Sequence, residues 1–217
     1  MLQEKVIVVT GASGALGKEP VRVVAMGSSS TAGREDVVPY PARLEMYLRR
    51  KYNNPRIDVV NRGRGGEEAN EELPRFDADI FAEKPSLVIW QVGTNAVFHD
   101  YNLDGVAAKI AEGLTRLRAQ PMDVVMMDPQ YVTAMLLDDK ADASNRIVSM
   151  IASAADKARV SVFRRWALMR HWHVQNNISF ERMLDPTDDR KLHQGDWSTQ
   201  RVSVALCEAI SKAPAAA

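Results

Sequence analysis

Val21-Arg-Val-Val-Ala-Met-Gly-Ser-Ser-Ser-Thr-Ala-Gly33 is the stretch that decides the fold. An apolar run, Val21 to Ala25, passes directly into small hydroxyl residues held between two glycines. A β-strand that ends this way delivers a hydroxyl onto a tight loop at the carboxyl edge of a sheet, where open α/β folds place their chemistry. Two further islands, Asn61-Arg-Gly-Arg-Gly-Gly66 and Gly93-Thr-Asn-Ala96, each trail a hydrophobic run, and Asp188-Asp-Arg-Lys-Leu-His193 comes late. A hydroxyl, backbone donors at glycine, an amide side chain and a histidine are the parts that acyl transfer through a serine nucleophile requires.

Outward from these islands, short β-branched runs alternate with longer stretches of helical period, the pattern of a parallel sheet covered on both faces. Strands are expected at Val6 to Val9, Val21 to Ala25, Ile57 to Val60, Leu87 to Gln91, Val124 to Met127 and Val160 to Val162. Leu103, Val106, Ala107, Ile110, Leu114 and Leu117 form one helical stripe, and Ile147, Met150, Ile151, Ala154 and Ala158 another. Val202, Ala205, Leu206, Ala209 and Ile210 mark a C-terminal helix with Asp196 or Ser198 as its N-cap. Pro41 suits the first turn of a helix carrying Leu44, Tyr47 and Leu48.

Composition narrows the function classes. The 217 residues fit one domain with a substantial core. Lys+Arg and Asp+Glu both number 28, so no net charge favours nucleic acid or an anionic membrane. The single cysteine, Cys207, excludes an internal disulfide and a multi-cysteine metal site, and it falls on an apolar helix face. No apolar stretch has the length of a spanning helix, and the first residues lack the pattern of a secretion signal, so a cytoplasmic product is expected of the sequence as it stands, with export of the native protein as the alternative.

The start of the chain carries a second signal. Val6-Ile-Val-Val-Thr-Gly-Ala-Ser-Gly-Ala-Leu-Gly17 resembles the strand and glycine loop of the short-chain dehydrogenases, which hold a dinucleotide pyrophosphate at a helix N-terminus. Pro20 stops any helix behind that loop, and a strand from Val21 comes too soon for a crossover. The only Tyr-x-x-x-Lys, Tyr47 to Lys51, lies far too early for that family's catalytic pair. Residues 1–20 are therefore read as an added strand or arm, with an NAD(P)-dependent oxidoreductase as the alternative.

The four islands in their order resemble the SGNH (GDSL-type) hydrolase family, whose blocks carry a serine, a glycine, an asparagine and a histidine. The resemblance spans residues 21–212, with 213–217 as a frayed tail. It implies an α/β, flavodoxin-like three-layer sandwich and an esterase acting on short-chain or O-acetyl esters, acylated carbohydrates included, with no cofactor and no metal. Aligned with the family's Gly-Asp-Ser, Ser28 stands at the aspartate and Ser29 at the nucleophile. His193 takes the place of the base. The family's acid lies three residues before the histidine, where this chain has Arg190. An arginine would repel the imidazolium that forms, so Asp189 is the expected orienting acid, with Asp188 or no acid as alternatives. The oxyanion donors implied are the Ser29 and Gly66 backbone N–H groups and the Asn95 amide. Loss of the acid would instead leave a non-catalytic carbohydrate-binding relative.

Other residues invite weaker readings. His171 and His173 bracket Trp172 and suggest paired ligands on an extended segment, yet no carboxylate or cysteine pattern completes a metal site. His99, Phe98, Trp90 and the segment Asp128-Pro-Gln-Tyr131 are pocket candidates, with core or loop roles as the alternative.

Overall fold

β-Branched and aliphatic residues dominate the segments that become strands, and the central strands bury both faces, as a covered parallel sheet demands, whereas the two edge strands are partly exposed. The computed structural model describes residues 19–34, 36–137 and 140–211. The expected strand at 6–9, the glycines at 11, 14 and 17, and the tail at 213–217 lie outside them.

Five parallel strands run β1 (Val21–Gly27), β2 (Ile57–Gly63), β3 (Leu87–Gln91), β4 (Asp123–Met127) and β5 (Ser161–Phe163), in the spatial order β2-β1-β3-β4-β5. This is the three-layer α/β arrangement expected from the alternating pattern. The order reverses at β1, so the crevice beyond the carboxyl ends of β1 and β3 is the topological switch point where such folds bind ligands.

Period-two alternation assigns the two faces. Val23, Ala25, Ile89, Val125 and Met127 pack against α2 (Tyr40–Tyr52) and the last helix, α10 (Asp196–Ser211). Val24, Met26, Val88, Trp90 and Met126 face the other side. That side is covered by α3 (Ala69–Glu72), α4 (Phe76–Asp79), α5 (Thr94–Phe98), α6 (Leu103–Arg118) and α7 (Lys140–Lys157). The stripes read from sequence supply these contacts, with Leu103, Val106, Ile110, Leu114, Leu117, Ile147 and Ile151 all buried. Trp90 is core, edge-on to Phe76 at 5.1 Å, and does not meet an acyl chain.

Several boundaries depart from expectation. α10 begins at Asp196, so Ser198 lies inside the first turn and donates to the Met183 carbonyl instead of capping. His171 and His173 lie on a helix, α8 (Arg165–Val174), and not on an extended segment. His173 stacks on Phe180 at 4.1 Å and its Nδ1 reaches the Ile178 carbonyl at 2.8 Å, which gives it a packing role. Among the described residues, no cluster of three or more His, Cys, Asp or Glu could hold a metal, and no helix is long and apolar enough to cross a membrane.

Candidate active site

The loop that carries Ser29 is built by close approach. β1 ends at Gly27, and α1 (Ser29–Ala32) follows at once, with Ser28 as its extended N-terminal flank. A Cβ on Gly27 would stand 2.4 Å from Thr31 Oγ1 and 2.8 Å from Gln91 Oε1, so only glycine admits the fold-back. The Gln91 carbonyl oxygen, at the end of β3, gathers this loop. It accepts from Ser28 N–H (3.1 Å), Ser28 Oγ (3.1 Å), Ser30 Oγ (2.9 Å) and Thr31 Oγ1 (3.1 Å). Ser28, at the aspartate position of the resembled motif, is therefore a loop support. Ser29 is left facing outward, half-buried, at the switch point.

His193 meets it from the loop before α10. Its Nε2 lies 3.0 Å from Ser29 Oγ, and its Nδ1 lies 2.7 Å from Asp188 Oδ2. The orienting contact is made by Asp188, and the expectation of Asp189 is corrected: Asp189 is exposed, whereas Asp188 is buried. A turn explains the longer spacing. Lys191 N–H donates to the Asp188 carbonyl at 3.0 Å, and Lys191 adopts a left-handed φ of 53°. The chain thus doubles back, carrying Asp189 and Arg190 outward and returning the Leu192 and His193 N–H groups to Asp188 Oδ2, at 2.9 and 2.8 Å.

Electrostatics set the tautomer. Burial opposes ionisation of Asp188, but the His193 backbone N–H, the imidazole donor and the Leu192 N–H outweigh it and hold the carboxyl down at about 2. A carboxylate only accepts, so Nδ1 carries the ring proton and Nε2 is free to accept from the Ser29 hydroxyl. Burial also holds the imidazole below the ordinary histidine value, opposed by Asp188 and assisted by Arg34 and Arg190.

The two remaining islands flank the serine. Gly63 pairs in register with Gly27, and a Cβ there would lie 2.2 Å from the Ala32 nitrogen. Gly65 and Gly66 form an exposed turn in which Gly66 has φ of +83°. A Cβ on Gly65 would come within 3.9 Å of Ser29 Cβ, while one on Gly66 would meet nothing within 4 Å. Asn95, buried in α5, donates one amide hydrogen to the Glu67 carbonyl at 2.7 Å, which ties its side chain to the glycine turn. An amide NH2 has two hydrogens, so the second is available to an oxyanion. Asn95→Ala is expected to lower kcat about 10²–10³-fold with the fold intact, as loss of one oxyanion donor does; steady-state kinetics with thermal melts as a control check this.

Several supports have no simple sequence signature. The buried Glu68 carboxylate accepts from Gly93 N–H (2.8 Å), Ala96 N–H (3.0 Å) and Ala69 N–H (3.1 Å), clamping the turn that presents Asn95. The fully buried Arg165 guanidinium donates to Ser30 Oγ (3.1 Å), the Asp128 carbonyl (3.0 Å) and Gln194 Oε1 (3.4 Å), bridging the neighbours of Ser29 and His193. Asp128, pushed up to about 7 by burial, accepts from Trp166 N–H, and Gln130 Nε2 donates to the Leu192 carbonyl at 3.0 Å. Gln130 of this segment thus braces the histidine loop, and residues 128–131 are not among those lining the cleft beside Ser29. His99 is exposed beside Phe98 and Tyr101. A single signal hinted at some of this: a polar Gln91 closing the otherwise apolar strand Leu87-Val-Ile-Trp.

Comparison with curated proteins finds no match. Among solved structures, the chain is similar to Axe2, an acetylxylan esterase from Geobacillus stearothermophilus, with 17% identity and a TM-score of 0.76 over 88% of this chain and 94% of that one. It is equally similar to LAE5, an alpha/beta hydrolase enzyme from the metagenome of Lake Arreo, Spain, at 16% identity and a TM-score of 0.76 over the same shares. Such identities speak to the fold. The sequence itself carries more, because the model of the Non-GDSL lipase-like family matches residues 8–215, and the chain belongs to that family.

Proposed function

We propose that the chain is a serine esterase of the SGNH (GDSL-type) kind, acting on small acyl esters such as O-acetyl groups on carbohydrate through an acyl-enzyme intermediate. The observation that carries this reading is the continuous Asp188–His193–Ser29 hydrogen-bonded chain at the topological switch point. The lipase-like family supports hydrolysis of an ester bond. The acetylxylan esterase of similar fold supports the acyl class, and its variants described as catalytic mutants replace a serine, an aspartate and a histidine. The small cleft beside Ser29, bounded by Val37, Pro39 and Thr199, suits a short acyl group better than a long chain.

In this reading each group has one task. Ser29 Oγ attacks the ester carbonyl carbon while its proton passes to His193 Nε2. Charge collects on the carbonyl oxygen, which the Ser29 and Gly66 N–H groups and the free Asn95 amide hydrogen stabilise. The bond to the alcohol oxygen then breaks, and Nε2 returns the proton to that oxygen. Water repeats the sequence on the acyl-serine, releasing the carboxylic acid and restoring Ser29. Asp188 stays ionised throughout and stabilises the imidazolium each time it forms.

Covalent trapping tests the reading. A fluorophosphonate probe is expected to add one adduct per chain, mapped by peptide mass spectrometry to Ser29, with loss of p-nitrophenyl acetate hydrolysis in step. Labelling elsewhere, or hydrolysis that survives full labelling, overturns it. The pH profile gives a second check. Only the neutral imidazole accepts a proton, and its value lies below the ordinary one, so kcat/KM should rise with pH and reach its plateau through a limb below about 6.5. A limb above that value would contradict this burial argument.

A further inference from the structure

Arg34 lies two residues beyond α1 and lines the cleft beside Ser29. Its Nε–H donates to Asp185 Oδ2 at 2.9 Å, while Nη1 stands 3.3 Å from His193 Nδ1 and 3.8 Å from Asp188 Oδ1. The Nδ1 proton already goes to Asp188, and a guanidinium has no acceptor. The 3.3 Å approach therefore sets donor against donor: a positive charge held at the ring, not a hydrogen bond. Asp185 fixes that charge. It is buried, and its other oxygen is taken by Thr187 N–H at 2.9 Å and Thr187 Oγ1 at 2.7 Å. Arg190 also approaches Asp188 Oδ1 at 3.8 Å, but its side chain is 58% exposed and its charge is screened by solvent. The charged groups facing the imidazole, among the described residues, are thus Asp188, Arg34 and Arg190, with Asp185 behind Arg34.

We propose that Arg34 sets the acid edge of the working range, keeping His193 neutral and able to act as base in more acidic solution than the Asp188–His193 pair alone would permit. This rests on the reading of His193 as general base. Asp188 by itself favours the charged ring, as a carboxylate in contact does. Arg34 offsets that preference at the resting ring. The same charge opposes the imidazolium formed during attack, so Arg34 exchanges some basicity for activity at low pH.

Removing Arg34 takes away a positive charge and uncovers the negative charge of Asp185, and both changes favour protonation of the ring. The test compares wild type with Arg34→Gln, Arg34→Met, Arg34→Lys and Arg190→Gln, by the acid limb of kcat/KM for p-nitrophenyl acetate and by NMR titration of the His193 Cε1 proton. That resonance is identified by its loss in His193→Asn. Arg34→Gln should raise both values by about one unit, a severalfold to tenfold loss of rate below the wild-type limb. Arg34→Met, which keeps the apolar stem, should do the same if the glutamine variant does not fold. Arg34→Lys, which keeps the charge, should stay near wild type, and Arg190→Gln should shift less than Arg34→Gln. Coincident titrations of wild type and the two neutral variants at position 34 would overturn the proposal. If the wild type hydrolyses no ester, the esterase reading fails, and the NMR titration still decides the role of Arg34.

Discussion

Ser29→Ala is expected to lower kcat for p-nitrophenyl acetate by about 10⁴–10⁶-fold, the range seen when a triad serine is removed. The neighbouring serines make the experiment discriminating, since three consecutive hydroxyls occupy positions 28 to 30. Ser28 and Ser30 both donate to Gln91 Oε1, and Ser30 also accepts from Arg165. Ser29 alone of the three is paired with an imidazole nitrogen. Ser28→Ala and Ser30→Ala weaken a support, and a loop displaced by a fraction of an ångström costs at most about 10²-fold. Kinetics of the three variants under one set of conditions should therefore separate them by two orders of magnitude or more. A Ser30→Ala enzyme as inactive as Ser29→Ala, with thermal stability unchanged, would transfer the nucleophile assignment to Ser30.

The parts of this fold that were legible in the sequence share one physical origin. A strand buried on both faces is apolar along its length, so Leu87-Val-Ile-Trp marks β3, with the polar Gln91 closing it. A helix on the sheet must present a stripe, so Leu103 to Leu117 marked α6. The short helices after β2 and α8 gave no such signal. The four-residue α3, α4 and α9 (Phe180–Met183) are stabilised by tertiary contacts and side-chain clamps, Glu68 foremost, and not by period or propensity. The same distinction divides the candidate site. Ser29 and Asn95 open the short helices that follow β1 and β3, His193 sits on the loop before α10, and chain order alone suggested that they converge. Asp188, Gln91, Glu68, Arg34 and Arg165 act through distances closed by the fold across as many as 159 residues of sequence, as between Arg34 and His193. Spacing rules carry no information about such pairs. Asp188 shows the point sharply, because its role depends on a left-handed residue, Lys191, that composition does not announce.

That turn yields the second large effect. Asp188→Asn is expected to lower kcat about 10⁴-fold, whereas Asp189→Asn should remain within about twofold of wild type. The asparagine is nearly isosteric, and with its carbonyl oxygen in the place of Oδ2 it can still accept from the Leu192 and His193 N–H groups and from Nδ1–H. That placement, however, sets its NH2 against the Arg34 and Arg190 guanidiniums, donor against donor. The flipped placement turns an amide hydrogen toward Nδ1 and forces the ring proton onto Nε2, which then donates toward Ser29 Oγ and cannot take its proton. The imidazolium that forms during attack also loses the negative charge beside it. Asp188→Ala removes the acceptor altogether and should cost as much in rate, with an added loss of stability because two buried backbone N–H groups lose their partner. Asp189 is exposed and makes no contact with the ring, so its substitution belongs with ordinary surface changes. If Asp189→Asn were the crippled variant and Asp188→Asn the active one, the turn at Lys191 would have to open in solution, and the acid would sit where the shorter spacing of the resembled motif comes closer to placing it.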